Sequence, residues 1–218
     1  MKKRYAFILI AFLAIVSSCE KDPIISTADR VGISKVTYYP ILTLTGDRIM
    51  VVEQGGTFTD PGATAKAGTA DVPVVATGSV NTSVADTYTI TYTATNQDGF
   101  SVTAYRTIVV YDTDAGAAAQ DLSGSYLRAA TGELSTWTKI APGVYTVLNP
   151  GGAAAGEDLL VVAVNPTGFT IAVQSQYASD GTLSVTSGEV YRNSVPASYD
   201  WHFLNPGYGT QLRTFVKQ

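Results

Sequence analysis

The sequence predicts an all-β protein, and three observations carry the prediction. Tyr, Thr, Val and Gly are abundant, with thirteen Tyr and twenty Gly in 218 residues, while the helix builders Leu, Glu and Lys are scarce. Thr87 to Thr95 carries Thr at every odd position and Tyr88, Ile90, Tyr92 and Ala94 at the even ones. That period of two belongs to a strand with its aromatic face buried and its threonines toward water. Short apolar runs recur along the chain, separated by Gly, Pro, Asn and Asp clusters that make tight turns. Hydrophobic residues make up 45% of the chain and charged ones 15%, enough to bury real cores. The expected architecture is two successive β-domains, the second an antiparallel β-meander that closes into a small barrel or sandwich.

The first nineteen residues stand apart. Lys2, Lys3 and Arg4 precede the apolar run Tyr5 to Val16, which ends at Ser17-Ser18-Cys19. Those twelve residues make a helix about 18 Å long, against a bilayer hydrocarbon core of roughly 30 Å. Residues 1–18 therefore read as a secretory signal rather than a span. Val16-Ser17-Ser18-Cys19 resembles the bacterial lipobox, which implies cleavage before Cys19 and acylation of that residue. Two or three acyl chains give the stable membrane hold that one does not. Glu20-Lys21-Asp22 resembles the acidic stretch of surface-exposed Bacteroidota lipoproteins, so the expected location is the outer membrane, facing the exterior. Residues 19–35 read as the lipidated tether.

Residues 36–112 read as the first β-domain. Ile41 to Leu44, Arg48 to Val52 and Val72 to Ala76 are apolar runs separated by Thr45-Gly46-Asp47, Gln54-Gly55-Gly56 and Asp60-Pro61-Gly62. Asn96-Gln97-Asp98-Gly99 turns the Thr87 to Thr95 strand into a return strand over Ser101 to Tyr111. Arg106 shares the phase of Ile108 and Val110 there. A bulge or an exposed strand end is expected at this point, because an unpaired buried guanidinium is too costly.

Ile41 to Asp112 resembles the bacterial surface immunoglobulin-like domain that is also repeated in insecticidal crystal toxins. The resemblance lies in Thr45-Gly46-Asp47, Val51-Val52-Glu53, Thr59 to Ala65, Gly78 to Ser83, Tyr88 to Thr95 and Asp98-Gly99. It implies a seven-strand-like sandwich with a spacer or adhesion role and brings no catalytic residues. Where that family commonly has Pro-Gly before its Thr-Tyr strand, this chain has Ala85-Asp86. A left-handed Asp86 is expected to preserve the turn.

Residues 113–120, rich in Ala and Gly, read as a linker. Asp112 and Asp114 offer two carboxylates at this junction, but Ca²⁺ needs six to eight oxygens that the sequence does not assemble. Residues 121–218 read as a second β-domain. Its expected strands are 125–128, 134–140, 144–148, 159–164, 169–176, 183–186, 189–192, 199–204 and 210–216, joined by turns such as Ala141-Pro142-Gly143 and Asn205-Pro206-Gly207. Asp121 to Tyr126 and Thr138 to Tyr145 resemble the C-terminal β-domain of lipoproteins from Bacteroidota glycan-uptake loci.

Composition narrows function. Cys19 is the sole cysteine, which leaves no disulfide framework and no thiolate metal site. A net charge of −4 argues against a nucleic-acid partner. His202 is the lone histidine and has no nucleophile motif beside it. Glu133, Glu157, Asp158 and Asp200 are the acids considered for a glycosidase pair, but they scatter over turns and strand ends. The chain is therefore expected to be a non-catalytic binding module that needs no cofactor. A glycan is the favoured ligand, because sugar rings stack on aromatic faces. Trp137, Trp201, Tyr199 and Tyr208 are the candidate platform, with core packing as the competing role of each Trp. Two further readings stay open: an accessory subunit that docks on an outer-membrane transporter, and an adhesin that binds protein.

Overall fold

The computed structural model describes residues 30–31, 34–154 and 158–218. The signal segment, Cys19 and Glu157 lie outside these residues. The chain divides into two compact units, Met1–Tyr38 and Tyr39–Gln218. In the first, β1 (Arg30–Val31) pairs antiparallel with β2 (Ser34–Lys35), so the end of the expected tether carries a short ladder.

The second unit begins with seven strands: β3 (Pro40–Leu44), β4 (Ile49–Glu53), β5 (Ala63–Ala67), β6 (Ala70–Asp71), β7 (Val74–Thr77), β8 (Asp86–Thr95) and β9 (Ser101–Tyr111). They form a three-stranded sheet of order β3-β5-β6 and a four-stranded sheet of order β4-β9-β8-β7. All pairs are antiparallel except β4 with β9. Ile90, Tyr92 and Ile108 are buried between the sheets, packed by Leu42, Leu44, Met50, Val52 and Phe58. The period of two in β8 is borne out, since Ile90, Tyr92 and Ala94 are all buried. Its threonines are mostly half-buried rather than in water, and Thr87 donates to Oε1 of Gln174 at 2.7 Å. The turn before β8 does not use Asp86. Asn81 makes it, accepting from Ser83 N–H on its side chain and from Val84 N–H on its carbonyl, while Asp86 already lies in the strand.

Arg106 overturns the expectation of an exposed or bulged site. It is 0% exposed in the middle of an unbroken β8–β9 ladder. The cost of burial is met by partners that sequence spacing did not reveal. Its Nη1 contacts the Asp60 carboxylate and donates to the Tyr92 hydroxyl at 2.6 Å. Its remaining nitrogens donate to the carbonyl oxygens of Asp47, Thr45 and Gly62. Asp60 lies on the loop before β5, and that Asp-Pro-Gly turn thus carries the counter-ion of the core.

A five-residue helix, α1 (Ala115–Ala119), occupies the expected linker. Ala117 is buried, and Lys139 Nζ donates to the carbonyl oxygens of Ala118 and Gln120, both at 2.7 Å. Such a cation satisfies free carbonyls at a helix end.

The remaining strands are β10 (Gly124–Arg128), β11 (Glu133–Ala141), β12 (Val144–Leu148), β13 (Leu160–Val164), β14 (Gln176–Tyr177), β15 (Leu183–Arg192), β16 (Ser198–Leu204) and β17 (Leu212–Lys217). They form one antiparallel sheet of eight strands, ordered β13-β12-β11-β10-β17-β16-β15-β14. β15 is a single strand where two were expected, and a register shift between Ser187 and Val190, with Gly188 at φ +64°, marks the interruption. The expected strand 169–176 does not form as one: only Gln176 lies in a strand, β14, and Phe169 is 69% exposed.

Side chains do much of the closure between β13 and β14. The buried amide of Gln176 accepts from Val162 N–H and donates to Val162 O, both at 2.8 Å, as a neighbouring peptide would. Val164 and Ala172 exchange backbone bonds below it, and Ser179 Oγ accepts from Leu160 N–H above it. The sheet is thus a nearly closed barrel whose seam is bridged by side chains as well as backbone.

Candidate binding site at the junction of the two β-domains

The residues expected to form an aromatic platform fill the barrel instead. Trp137 is 2% exposed, Trp201 0% and Tyr199 1%. Strand alternation directs all three inward with Tyr126, Tyr145, Phe203 and Phe215, and their edge-on and stacked contacts complete the interior. Their polar atoms are satisfied inside, Trp137 Nε1 donating to Tyr199 Oη at 3.1 Å and Trp201 Nε1 to Pro150 O at 3.0 Å. Burial pushes the Tyr199 and Tyr126 hydroxyls far above the ordinary tyrosine range. These rings have no free face for a ligand, and their role is packing. Tyr208 is half-buried, edge-on to Phe203 at 5.3 Å.

The other candidates are dispersed. His202 Nδ1 lies 2.9 Å from Thr210 O. Asp200 is held by Arg192 Nη2 at 2.5 Å; burial alone would raise its carboxyl, but the Arg192 hydrogen bond and charge help bring it below the ordinary value. Glu133 opens β11, and Asp158 is exposed before β13. Asp112 and Asp114 are both exposed, and no group of three acids and histidines among the described residues is placed to hold a metal.

The structure brings together a different set, at the barrel seam. β9 is buried on both faces along Arg106 to Val110. Its even residues face the sandwich core, and Val109 packs on Val144 and Val162 of the barrel, flanked by Ile49, Val51 and Tyr111. Beside this apolar contact, Arg48 reaches the seam from the turn before β4. Its Nη1 donates to Tyr177 O at 3.2 Å and Ala178 O at 3.3 Å, and its Nη2 to Leu160 O at 3.5 Å. The ring of Tyr105 on β9 stacks on Tyr177, with centroids 3.8 Å apart and planes 3° from parallel.

A cavity of about 220 Å³ opens there, with Arg48, Thr103 and Tyr105 on one wall and Ser179, Asp180 and Gly181 on the other. Asp180 is exposed, and its Oδ1 accepts from the N–H and hydroxyl of Thr182. Burial lowers the proton affinity of Arg48, and the charge of Asp180 counteracts that. Gly181, at φ +80°, makes the tight turn; an added Cβ would stand 3.7 Å from Tyr105 Cε2. On the other side of Arg48, a wider groove of about 440 Å³ is lined largely by Ile49, Val51, Ile140 and Leu160. It lacks an aromatic ring. The smaller cavity therefore combines a flat ring, a cation and an anion in one place. No local pattern in the sequence marks these residues as a site, since none reveals what another domain brings to the turn at Ser179 to Gly181.

Fold and site together define a two-domain all-β protein with its candidate site at the domain junction. Residues 42–110 match the family described as the Ig-like domain of bacterial surface proteins, a span that ends before β10. No curated protein matches the chain. A crystal structure of a lipoprotein from Bacteroides thetaiotaomicron is similar over 83% of this chain and 100% of that one, at 22% identity and a TM-score of 0.40.

Proposed function

We propose that the protein is a non-catalytic binding module of the bacterial envelope that takes the end of a glycan chain in the cavity between Arg48 and Asp180. One observation carries the reading: the ring of Tyr105, a guanidinium and a carboxylate surround a single cavity of about 220 Å³. A pyranose presents C–H faces that pack on an aromatic ring. Its hydroxyls both donate and accept, which suits a carboxylate and a guanidinium on opposite walls. Domain junctions are also where ligand clefts concentrate. The engagement of His202 with Thr210 and of Asp200 with Arg192 favours binding over catalysis. Lipidation at Cys19 and outer-membrane attachment facing the exterior belong to the same proposal and rest on the Val16 to Cys19 pattern. Affinity electrophoresis against a polysaccharide panel tests the reading. The wild type should be retarded on at least one glycan, with retardation weakened in Asp180→Asn and Tyr105→Ala. Retardation on none removes the glycan.

A second reading, docking on a partner such as an outer-membrane transporter or a protein bound by adhesion, is favoured by one exposed patch. Tyr39 and Ile41 are 63% and 72% exposed, and Tyr39 meets Phe100 at 4.7 Å. Co-purification of a membrane partner that is lost in Tyr39→Ser/Phe100→Ser supports it; a chain that purifies alone opposes it.

A further inference from the structure

The end of the barrel formed by the turns near Gly151 and Tyr208 gathers two arginines and further donors with no anionic partner among the described residues. Arg128, the last residue of β10, donates through Nη1 to the carbonyl oxygens of Gly151 and Gly152 at 3.3 and 3.2 Å. Arg213 on β17 is only 5% exposed and donates to the carbonyl oxygens of Phe203, Gln211 and Gly209. Its guanidinium carbon lies 5.4 Å from the centre of the Tyr208 ring. Gly151 links the two arginines, since a Cβ there would fall 2.1 Å from Tyr208 Cε1. The tyrosine ring thus lies on the residue whose carbonyl takes a bond from Arg128.

Neither guanidinium makes an ion pair among the described residues. Glu133, opposite Arg128 in the ladder, and Asp180, the acid whose charge acts on Tyr208, both stay beyond ion-pair distance. Arg213 Nε, the Tyr208 hydroxyl and Asn149 Nδ2 are buried with no hydrogen-bond partner. Buried polar groups are nearly always paired. Each of these three can donate, and two stand beside a second cation, so a negatively charged acceptor is what they share a need for. Burial lowers the proton affinity of Arg213, and the charge of Arg128 lowers it further.

We propose that this end of the barrel binds a single oxyanion group, held between Arg128 and Arg213 with the Tyr208 hydroxyl donating to it. Guanidinium planes match the paired oxygens of a carboxylate, sulfate or phosphate. The group comes either from a free inorganic anion or from a uronic-acid carboxylate on a polysaccharide. This site is separate from the junction cavity and stands whether or not that cavity binds sugar.

The test is thermal unfolding and titration calorimetry of the full chain in phosphate against chloride at matched ionic strength, with polygalacturonate as competitor. Phosphate should raise the wild-type midpoint saturably, with one site per chain. Tyr208→Phe removes only a hydroxyl, leaves the fold intact and should weaken phosphate binding several-fold; Arg128→Ala should abolish it. Competition by polygalacturonate identifies a uronic acid as the source, and its absence identifies a free anion. A non-saturating rise that is equal in the wild type and Tyr208→Phe is a general salt effect and overturns the site, as does no rise at all.

Discussion

Arg48 donates to the carbonyl oxygen of Tyr177, 129 residues further along the chain, at 3.2 Å. The Ig-like domain thereby adds a charged donor to the seam between β13 and β14, where Leu160 O and Ala178 O also accept from the N–H groups of Ser179 and Gly181. Arg48→Ala leaves the carbonyl groups of Leu160, Tyr177 and Ala178 without this donor. A hydrogen bond from a charged group contributes about 1.5–3 kcal/mol, and a loss of about 2–3 kcal/mol is expected by urea denaturation. Lysine at the same position should recover little, since it lacks the planar fork that reaches several carbonyls.

The Asp60–Arg106 pair should behave as a buried charge whose partner cannot be removed. Asp60→Ala leaves the guanidinium uncompensated, which costs about 3–5 kcal/mol. Arg106→Met with Asp60→Asn removes both charges and should be far milder. Denaturant midpoints of the three proteins check this.

The same cluster predicts a pH dependence. Burial would raise the Asp60 carboxyl, but hydrogen bonds from Tyr92, Gly62 and Arg106 outweigh it and leave the group below its ordinary value. A depressed carboxyl contributes stability that is complete above its unfolded value, about 4, and is lost as pH falls through the folded one. At the alkaline end burial and Asp60 push Tyr92 up to about 12. The unfolded chain ionises first, so stability should fall as pH rises from about 10 toward 12. Denaturant titrations across both limbs measure it, with Tyr92→Phe removing the Tyr92 share of an alkaline limb to which the buried Tyr126 and Tyr199 also contribute.

Gln176 stands in for a strand at the seam. Gln176→Leu leaves Val162 N–H and Val162 O buried and unmet, at about 1–3 kcal/mol each. Hydrogen exchange at Val162 should accelerate strongly while exchange at Val147, deep in the continuous ladder, changes only with global stability.

Much of the fold is legible in the sequence because alternation is a local signal. Ile90, Tyr92 and Ala94 lie on the buried face as the period of two requires, and β10 to β13 and β15 to β17 fall on runs bounded by expected turns. The burial of Arg106 is not legible in the sequence because its partner, Asp60, is 46 residues away and no periodicity reports a distant counter-ion. Residues 169–176 read as a strand by composition, yet Gln176 spends its side chain where a backbone bond would go. The site was least legible of all. Trp137 and Trp201 carry the same alternation whether a strand lines a core or a cleft, and Arg48, Tyr105 and Asp180 meet only once two domains have packed.

The most direct test of glycan binding at the junction is calorimetric titration of the wild type and Asp180→Asn with the best-retained oligosaccharide, following tryptophan emission in parallel. Binding should weaken at least tenfold in the variant, whose Asx turn to Thr182 survives, while emission from the buried Trp137 and Trp201 stays unchanged. Equal affinity in the two proteins, or a large emission change on binding, would contradict a site between Arg48 and Asp180.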